Sequence, residues 1–161
     1  NIFLKDQITV DILSHRFDYV VDAIDTLSPK IFLIHQALEN GLPVVSSMGA
    51  GGKFDPAQVR VAEFSQTYNC PLARMLRKRL PKLNAKPHFL AVFSPELPVE
   101  GSCIEVVGEQ NKKTTVGTVS YMPAVFGCQC ASVVIRELSG IPLNLQKRPP
   151  ALNKFASKAD Q

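Results

Sequence analysis

The sequence predicts an α/β protein: a Rossmann-like, mostly parallel sheet with helices on both faces, plus antiparallel strands. Three neighbouring stretches carry this reading. Tyr19 to Ile24 (YVVDAI) is an apolar run broken only by Asp22, the pattern of a strand buried on both faces of a parallel sheet. A helix start follows, with Ser28 as N-cap and Pro29 in the first turn; Ile31, Ile34 and Leu38 recur at helical spacing, and Asn40-Gly41 end it. Pro43-Val44-Val45 then opens a second apolar strand. Strand, helix and strand make one βαβ unit, the connection that parallel strands require.

The other elements extend this unit. Asn1 to Leu4 (NIFL) reads as a short strand, and Ile8 to Ser14 as one or two helical turns leading back to Tyr19. After Val45 comes a glycine cluster, Gly49-Ala50-Gly51-Gly52-Lys53. It is not a Walker loop, because Ser47 stands where that loop needs glycine and Phe54 where it needs Ser or Thr. The dinucleotide pattern G-x-G-x-x-G is absent too. Two readings remain: a flexible turn at a strand end, or a place where backbone must approach a ligand closely. Asp55-Pro56 turns the chain, and Gln58 to Phe64 alternates Val59, Val61 and Phe64 against Arg60 and Glu63. That alternation points to an antiparallel strand near an edge.

Asn69 is placed to cap the helix that Pro71 begins, with Leu72, Met75, Leu76 and Leu80 as its apolar stripe and Pro81 as its stop. His88 to Phe93 is another short buried-type strand, and Ser94 to Gly117, with Pro95, Pro98, Gly101 and Gly108, reads as a long loop. Pro123 opens the last helix. Its expected inner stripe is Ala124, Gly127 or Cys128, Ala131, Ile135 and Leu138, with Gly127 and Ala131 approaching the sheet closely, and Gly140 ends it. Residues 141–161 show no sustained period and are expected to form a loosely ordered tail, which leaves residues 1–140 as the domain.

Composition bounds the rest. A chain of 161 residues suits one domain with a sizeable core, and a net charge of +4 only mildly favours polyanionic partners. No apolar run reaches membrane-span length, so no membrane partner is expected. The four cysteines, at 70, 103, 128 and 130, form no paired C-x-x-C knuckles. They are read as reduced thiols in a cytoplasmic protein, with Cys128 and Cys130 pointing in different directions. Nothing local supports a catalytic thiol at Cys70 or Cys103. His15, His35 and His88 are too scattered for a metal motif, and His35 reads as a packing residue.

Two groups of residues are candidates for chemistry. Asp25 falls at the carboxyl end of the first strand, the edge at which open α/β sheets bind ligands. A carboxylate there either caps the next turn or holds a magnesium ion that is itself held by nucleotide phosphates. Arg74, Arg77 and Lys78 share a helix face, which is either simply solvated or a contact for an RNA phosphate backbone.

Taken in order, VVDAID, PK, PVVSSMGAGG with FDP, CPLARMLRKRL, VFS and G-TVSYMPAVFG resemble the ThiF/MoeB/ubiquitin-activating superfamily. The likeness spans about Phe17 to Leu138 and is nearest to its tRNA threonylcarbamoyladenosine dehydratase branch. The resemblance implies ATP-dependent adenylation of the threonylcarbamoyl carboxylate in tRNA, followed by ring closure that expels AMP. It implies Asp25 as the catalytic contact to magnesium and ATP, with Asp22 as the first acid of the same motif. It makes Gly49, Gly51 and Gly52 the shapers of the ATP pocket, with backbone carbonyls offered to a monovalent cation. tRNA, a second copy in a homodimer and a sulfur-relay protein are the implied partners. The family's glycine-rich nucleotide loop would precede Asn1, so the chain is expected to be the C-terminal part of the enzyme and inactive toward ATP alone. The missing zinc pairs favour the dehydratase over the sulfur-carrier activators. The runners-up are adenylation of the C-terminus of a ubiquitin-like sulfur carrier, and a non-catalytic dimerisation fragment.

Overall fold

In the computed structural model the described residues are 7–83, 87–99, 103–105 and 114–150. The expected strand at Asn1 to Leu4 and residues 151–161 lie outside them.

A four-stranded sheet forms the middle layer, in the order β1-β2-β4-β3. β1 (Val20–Asp22) pairs in parallel with β2 (Val44–Ser47), opposing Val20 to Val44 and Asp22 to Ser46. β2 pairs in parallel with β4 (Leu90–Phe93), and β3 (Arg60–Glu63) runs antiparallel to β4 at the far edge. The alternation read around β3 is thus that of an antiparallel edge strand. β1 is shorter than the apolar run predicted and forms the other edge of the described sheet. Val21 is 49% exposed there, so β1 is not buried on both faces. Val20 and Asp22 face the side covered by the helix Leu27–Glu39, and Val21 faces the other, where the helix Tyr121–Leu138 packs over β2, β4 and β3.

Helices cover both faces. On one side lie α1 (Gln7–Leu13), α2 (Leu27–Glu39) and α3 (Pro71–Arg79), closing a core of Leu13, Ile31, Ile34, Val44, Phe64, Leu76 and Phe93. Phe64 and Phe89 stack there, with ring centroids 4.4 Å apart. On the other side α4 (Tyr121–Leu138) buries Met122, Phe126, Cys130 and Val133 against Val45, Val59 and Val92. Burying one such side chain fully contributes about 1.5–3 kcal/mol.

This corrects the expected face of α4. Ala124, Gly127, Cys128 and Ala131 are exposed, Ile135 is 62% and Leu138 58% exposed, and no heavy atom lies within 4 Å of a Cβ built on Gly127. The helix carries two apolar stripes at the same period. The one with Met122 and Phe126 removes more apolar area from water and takes the sheet. Cys128 and Cys130 do point apart, one exposed and one buried.

Smaller departures have local causes. α2 starts one residue before Ser28, with Thr26 at the N-cap, and Gly41 ends it at φ +67°. α3 is capped by Cys70, because Asn69 takes a left-handed conformation (φ 53°) and spends its side chain on Pro95. α3 ends at Arg79 with Leu80 as its C-cap, just before Pro81 as expected, and the chain goes on as a 3₁₀ turn over Leu80–Leu83. The long loop contains a two-stranded antiparallel ribbon, β5 (Cys103–Glu105) and β6 (Thr114–Val116). Residues 141–150 pass β3, where Gln146 N donates to Val61 O at 2.8 Å and Arg148 N to Gln66 Oε1 at 3.2 Å. No helix among the described residues is long and apolar enough to cross a membrane.

Candidate active site

The parallel strands β1, β2 and β4 bring three chain segments to one edge of the sheet, at their carboxyl ends. These are Asp22 to Asp25, Ser46 to Asp55, and Ser94 to Glu96.

The first segment is built on a buried ion pair. Asp22 and Lys30 are both fully buried, with Lys30 Nζ 2.7 Å from Asp22 Oδ2. The same carboxylate oxygen accepts from Ser46 Oγ at 2.5 Å, and Oδ1 accepts from Ile24 N at 3.0 Å. Lys30 Nζ also donates to Ile24 O at 3.0 Å and Ser47 O at 2.7 Å. α2, β1 and β2 are therefore locked together just beneath the edge. Asp22, expected in the cofactor pocket, lies below the surface with both oxygens engaged. Asp25, three residues on, is exposed at the edge itself. The charges of this pair also reach Cys130 on α4: burial pushes its thiol up to about 11, with Lys30 pulling it down and Asp22 adding to the rise.

The second segment is the glycine turn, which joins several parts of the edge. Gly52 has φ +67°, favourable to glycine. A Cβ on Gly51 would meet Val116 Cβ at 2.8 Å, so the turn and β6 approach as only glycine permits. Gly52 N donates to Gly117 O at 2.8 Å, its carbonyl accepts from Val99 N at 3.1 Å, and Tyr121 Oη donates to Phe54 O at 2.8 Å. The flexible-turn reading therefore yields to close backbone packing, here against β6.

Lys53 is the second buried lysine, 2% exposed. Its Nζ donates to Ser94 O at 2.9 Å and to Glu96 O. Glu96 answers from the opposite side: its carboxylate accepts from Phe54 N and Asp55 N, each at 3.0 Å. Asn69 Nδ2 adds a bond to Pro95 O at 3.0 Å. Burial draws the Lys53 ammonium below its usual range, opposed by Cys70 and Glu96 nearby.

The basic helix divides. Arg74 and Lys78 are exposed, as is Arg79. Arg77 is half-buried: it donates to Thr67 Oγ1 and lies 5.8 Å from the Phe64 ring centroid. Arg77 thus does not share the open face with the other two, because Phe64 and Thr67 offer it a packing site with a hydrogen bond.

Lys30, Ser46, Lys53 and Glu96 were not singled out by the sequence reading. Lys30 carried a signal, since it falls on the stripe of Leu33, Ile34 and Ala37, and a lysine on an apolar stripe needs a buried anion. Glu96 carried none, because its partners are backbone groups of a distant turn.

Comparison with known proteins places this geometry. The ThiF family signature matches residues 3–160. The tRNA threonylcarbamoyladenosine dehydratase of Bacillus subtilis is 31% identical over 143 residues, which cover 84% of this chain and 56% of that protein. The Escherichia coli protein of that name is 44% identical over 68 residues, 42% of this chain. Its crystal structure in complex with ATP superimposes with a TM-score of 0.69 at 30% identity, covering 82% of this chain and 52% of that one. The chain spans about half the length of these two matches.

Proposed function

The chain belongs to the ThiF family, and from that premise we propose that the protein carrying it dehydrates threonylcarbamoyladenosine in tRNA at the expense of ATP. In this reading the threonylcarbamoyl carboxylate attacks the α-phosphorus of ATP and releases pyrophosphate. An intramolecular nucleophile of the same group then closes the ring and expels AMP. The relatives' activity and the ATP held by the Escherichia coli structure support this for the whole protein.

The observation that carries the proposal is the contrast between Asp22 and Asp25. One acid of the DAID segment is consumed by the fold, and the other is exposed at the ligand edge, beside a glycine turn held by Lys53 and Glu96. Asp25 suits a magnesium ion, which takes one or two carboxylates and fills its other positions with water and phosphate oxygens. The ion's contribution when bound is to offset phosphate charge. The chain's own residues fix the edge: Lys30 and Asp22 hold the segment leading to Asp25, and Lys53 holds the segment after β4. A monovalent cation at the glycine turn is left out, since Lys53 Nζ already takes the Ser94 and Glu96 carbonyls beside it.

For RNA we assign the exposed Arg74 and Lys78, with Arg77 serving the fold. The uncovered stripe of α4, with Ile135 and Leu138, supports a homodimer.

The test is a cyclisation assay on the full-length protein, with tRNA carrying the open base, ATP and magnesium. Asp25→Ala is expected to lower turnover by about 100-fold or more. Activity in neither protein would move the reading to a ubiquitin-like sulfur carrier as the adenylated partner. Equal activity in both would return Asp25 to the role of a cap.

A further inference from the structure

A groove of about 460 Å³ runs between the first two turns of α2 and the chain following α3. Ser28, Ile31 and Phe32 line one side, and Arg79, Lys82 and Leu83 the other. Phe32 is half-buried, and Arg79 and Lys82 are exposed, without an ion pair among the described residues. Among the described residues no carboxylate lines the groove. Three features thus coincide: an aromatic side chain, an apolar floor and two cations at the rim. Proteins recognise an unpaired nucleotide with this set, the base stacking on an aromatic ring and the backbone phosphates meeting basic side chains. The volume lies in the range of small-ligand pockets.

Position adds a second argument. Ser28 is three residues past Asp25, a stretch spanning at most about 11 Å. The groove therefore opens beside the edge at which the reacting base is placed. Lys78, the residue before Arg79, and Arg74, one turn before Lys78, are further exposed cations on α3.

We infer that this α2/α3 groove binds one unpaired RNA nucleotide neighbouring the one that reacts, its base on Phe32 and its phosphates on Arg79 and Lys82. The inference rests on the RNA reading above and deepens it. Binding here orients the substrate strand before chemistry, and it makes a flipped nucleotide beside the reacting base part of what the protein recognises.

The experiment measures binding of tRNA carrying the open base to the full-length protein across a salt series, with thermal melts confirming that each variant is folded. Arg79→Glu with Lys82→Glu is expected to weaken binding at least tenfold and to flatten the salt slope by about 1.4, the value for two phosphate contacts on a single strand. Phe32→Leu keeps apolar volume without a ring; it should weaken binding by about fivefold or more and leave the slope unchanged. Phe32→Trp should bind as wild type, which covers the case in which the leucine variant fails to fold. A 4-thiouridine beside the reacting base should crosslink to the peptide containing Phe32. If the groove variants bind as wild type while Arg74→Glu with Lys78→Glu weakens binding, the groove is overturned and the RNA reading stands. If wild type binds no RNA, that reading falls and the groove falls with it.

Discussion

The protein buries two lysines at one edge of one sheet and neutralises them differently. Lys30 meets a carboxylate, Asp22, at 2.7 Å, with two carbonyls completing its shell. Lys53 meets carbonyls only, those of Ser94 and Glu96, while the Glu96 carboxylate turns to Phe54 N and Asp55 N. The first arrangement is an ion pair enclosed in the core, and removing either partner strands a charge. The second spreads its charge over peptide dipoles, with the Glu96 carboxylate near but bonded elsewhere. The first region holds the fold together; the second holds a loop in place.

The sharpest way to break this comparison is to remove Asp22. Asp22→Ala leaves Lys30 buried without its anion and should destabilise by about 3–5 kcal/mol in urea unfolding. Replacing both residues, as Asp22→Val with Lys30→Met, should recover much of that loss, because no charge is then left unpaired. A single-variant loss below about 1 kcal/mol would mean that the pair is already solvated, and the contrast with Lys53 would disappear.

The other lysine should respond less. Lys53→Met leaves two carbonyls short of a partner and should cost about 1–3 kcal/mol. Glu96→Gln keeps an acceptor for Phe54 N and Asp55 N, and about 1 kcal/mol is expected, the difference between a charged and a neutral acceptor. The two changes should couple in a double-mutant cycle, since Lys53 holds the Glu96 carbonyl and Glu96 holds the two amides that follow Lys53. Additive losses would show that the glycine turn and the Ser94–Glu96 segment are held independently.

These two regions also show what a sequence makes legible. The βαβ unit announced itself through apolar period and turn residues, and so did the position of Asp25, because strand ends are punctuated locally. The edge placement of β3 was legible for the same reason. The buried face of α4 was not, since Met122-Phe126-Val133 and Ala124-Ala131-Ile135-Leu138 satisfy the same spacing and only the sheet decides between them. The Asp22–Lys30 pair was half legible, from a lysine on an apolar stripe. The Lys53–Glu96 clamp was not legible, because it joins residues 43 positions apart through backbone groups that every sequence contains.

A last comparison separates the two regions by pH. Cys130 lies on the α4 side of the sheet and feels the charges of Asp22 and Lys30, and burial raises its thiol from 9.0 to about 11. Between those values the unfolded chain carries a thiolate while the folded one keeps its proton. The folded state then binds more protons, and stability falls as pH rises. The decline attributable to this group is of order 1 kcal/mol per pH unit between pH 9 and 11. Tyr19 is raised as well, by burial and by its bond to Glu137, and adds a decline of the same sign. Its larger causes, burial and Glu137, remain in Cys130→Ala and Cys130 is the smallest of them, so the difference between their pH profiles reports chiefly the thiol. Parallel profiles would mean that the Lys30 ammonium offsets the burial of Cys130, and that the ion-paired region is electrostatically open to α4. Diverging profiles would mean that Asp22 has already consumed the charge of Lys30, which is the property that distinguishes it from Lys53.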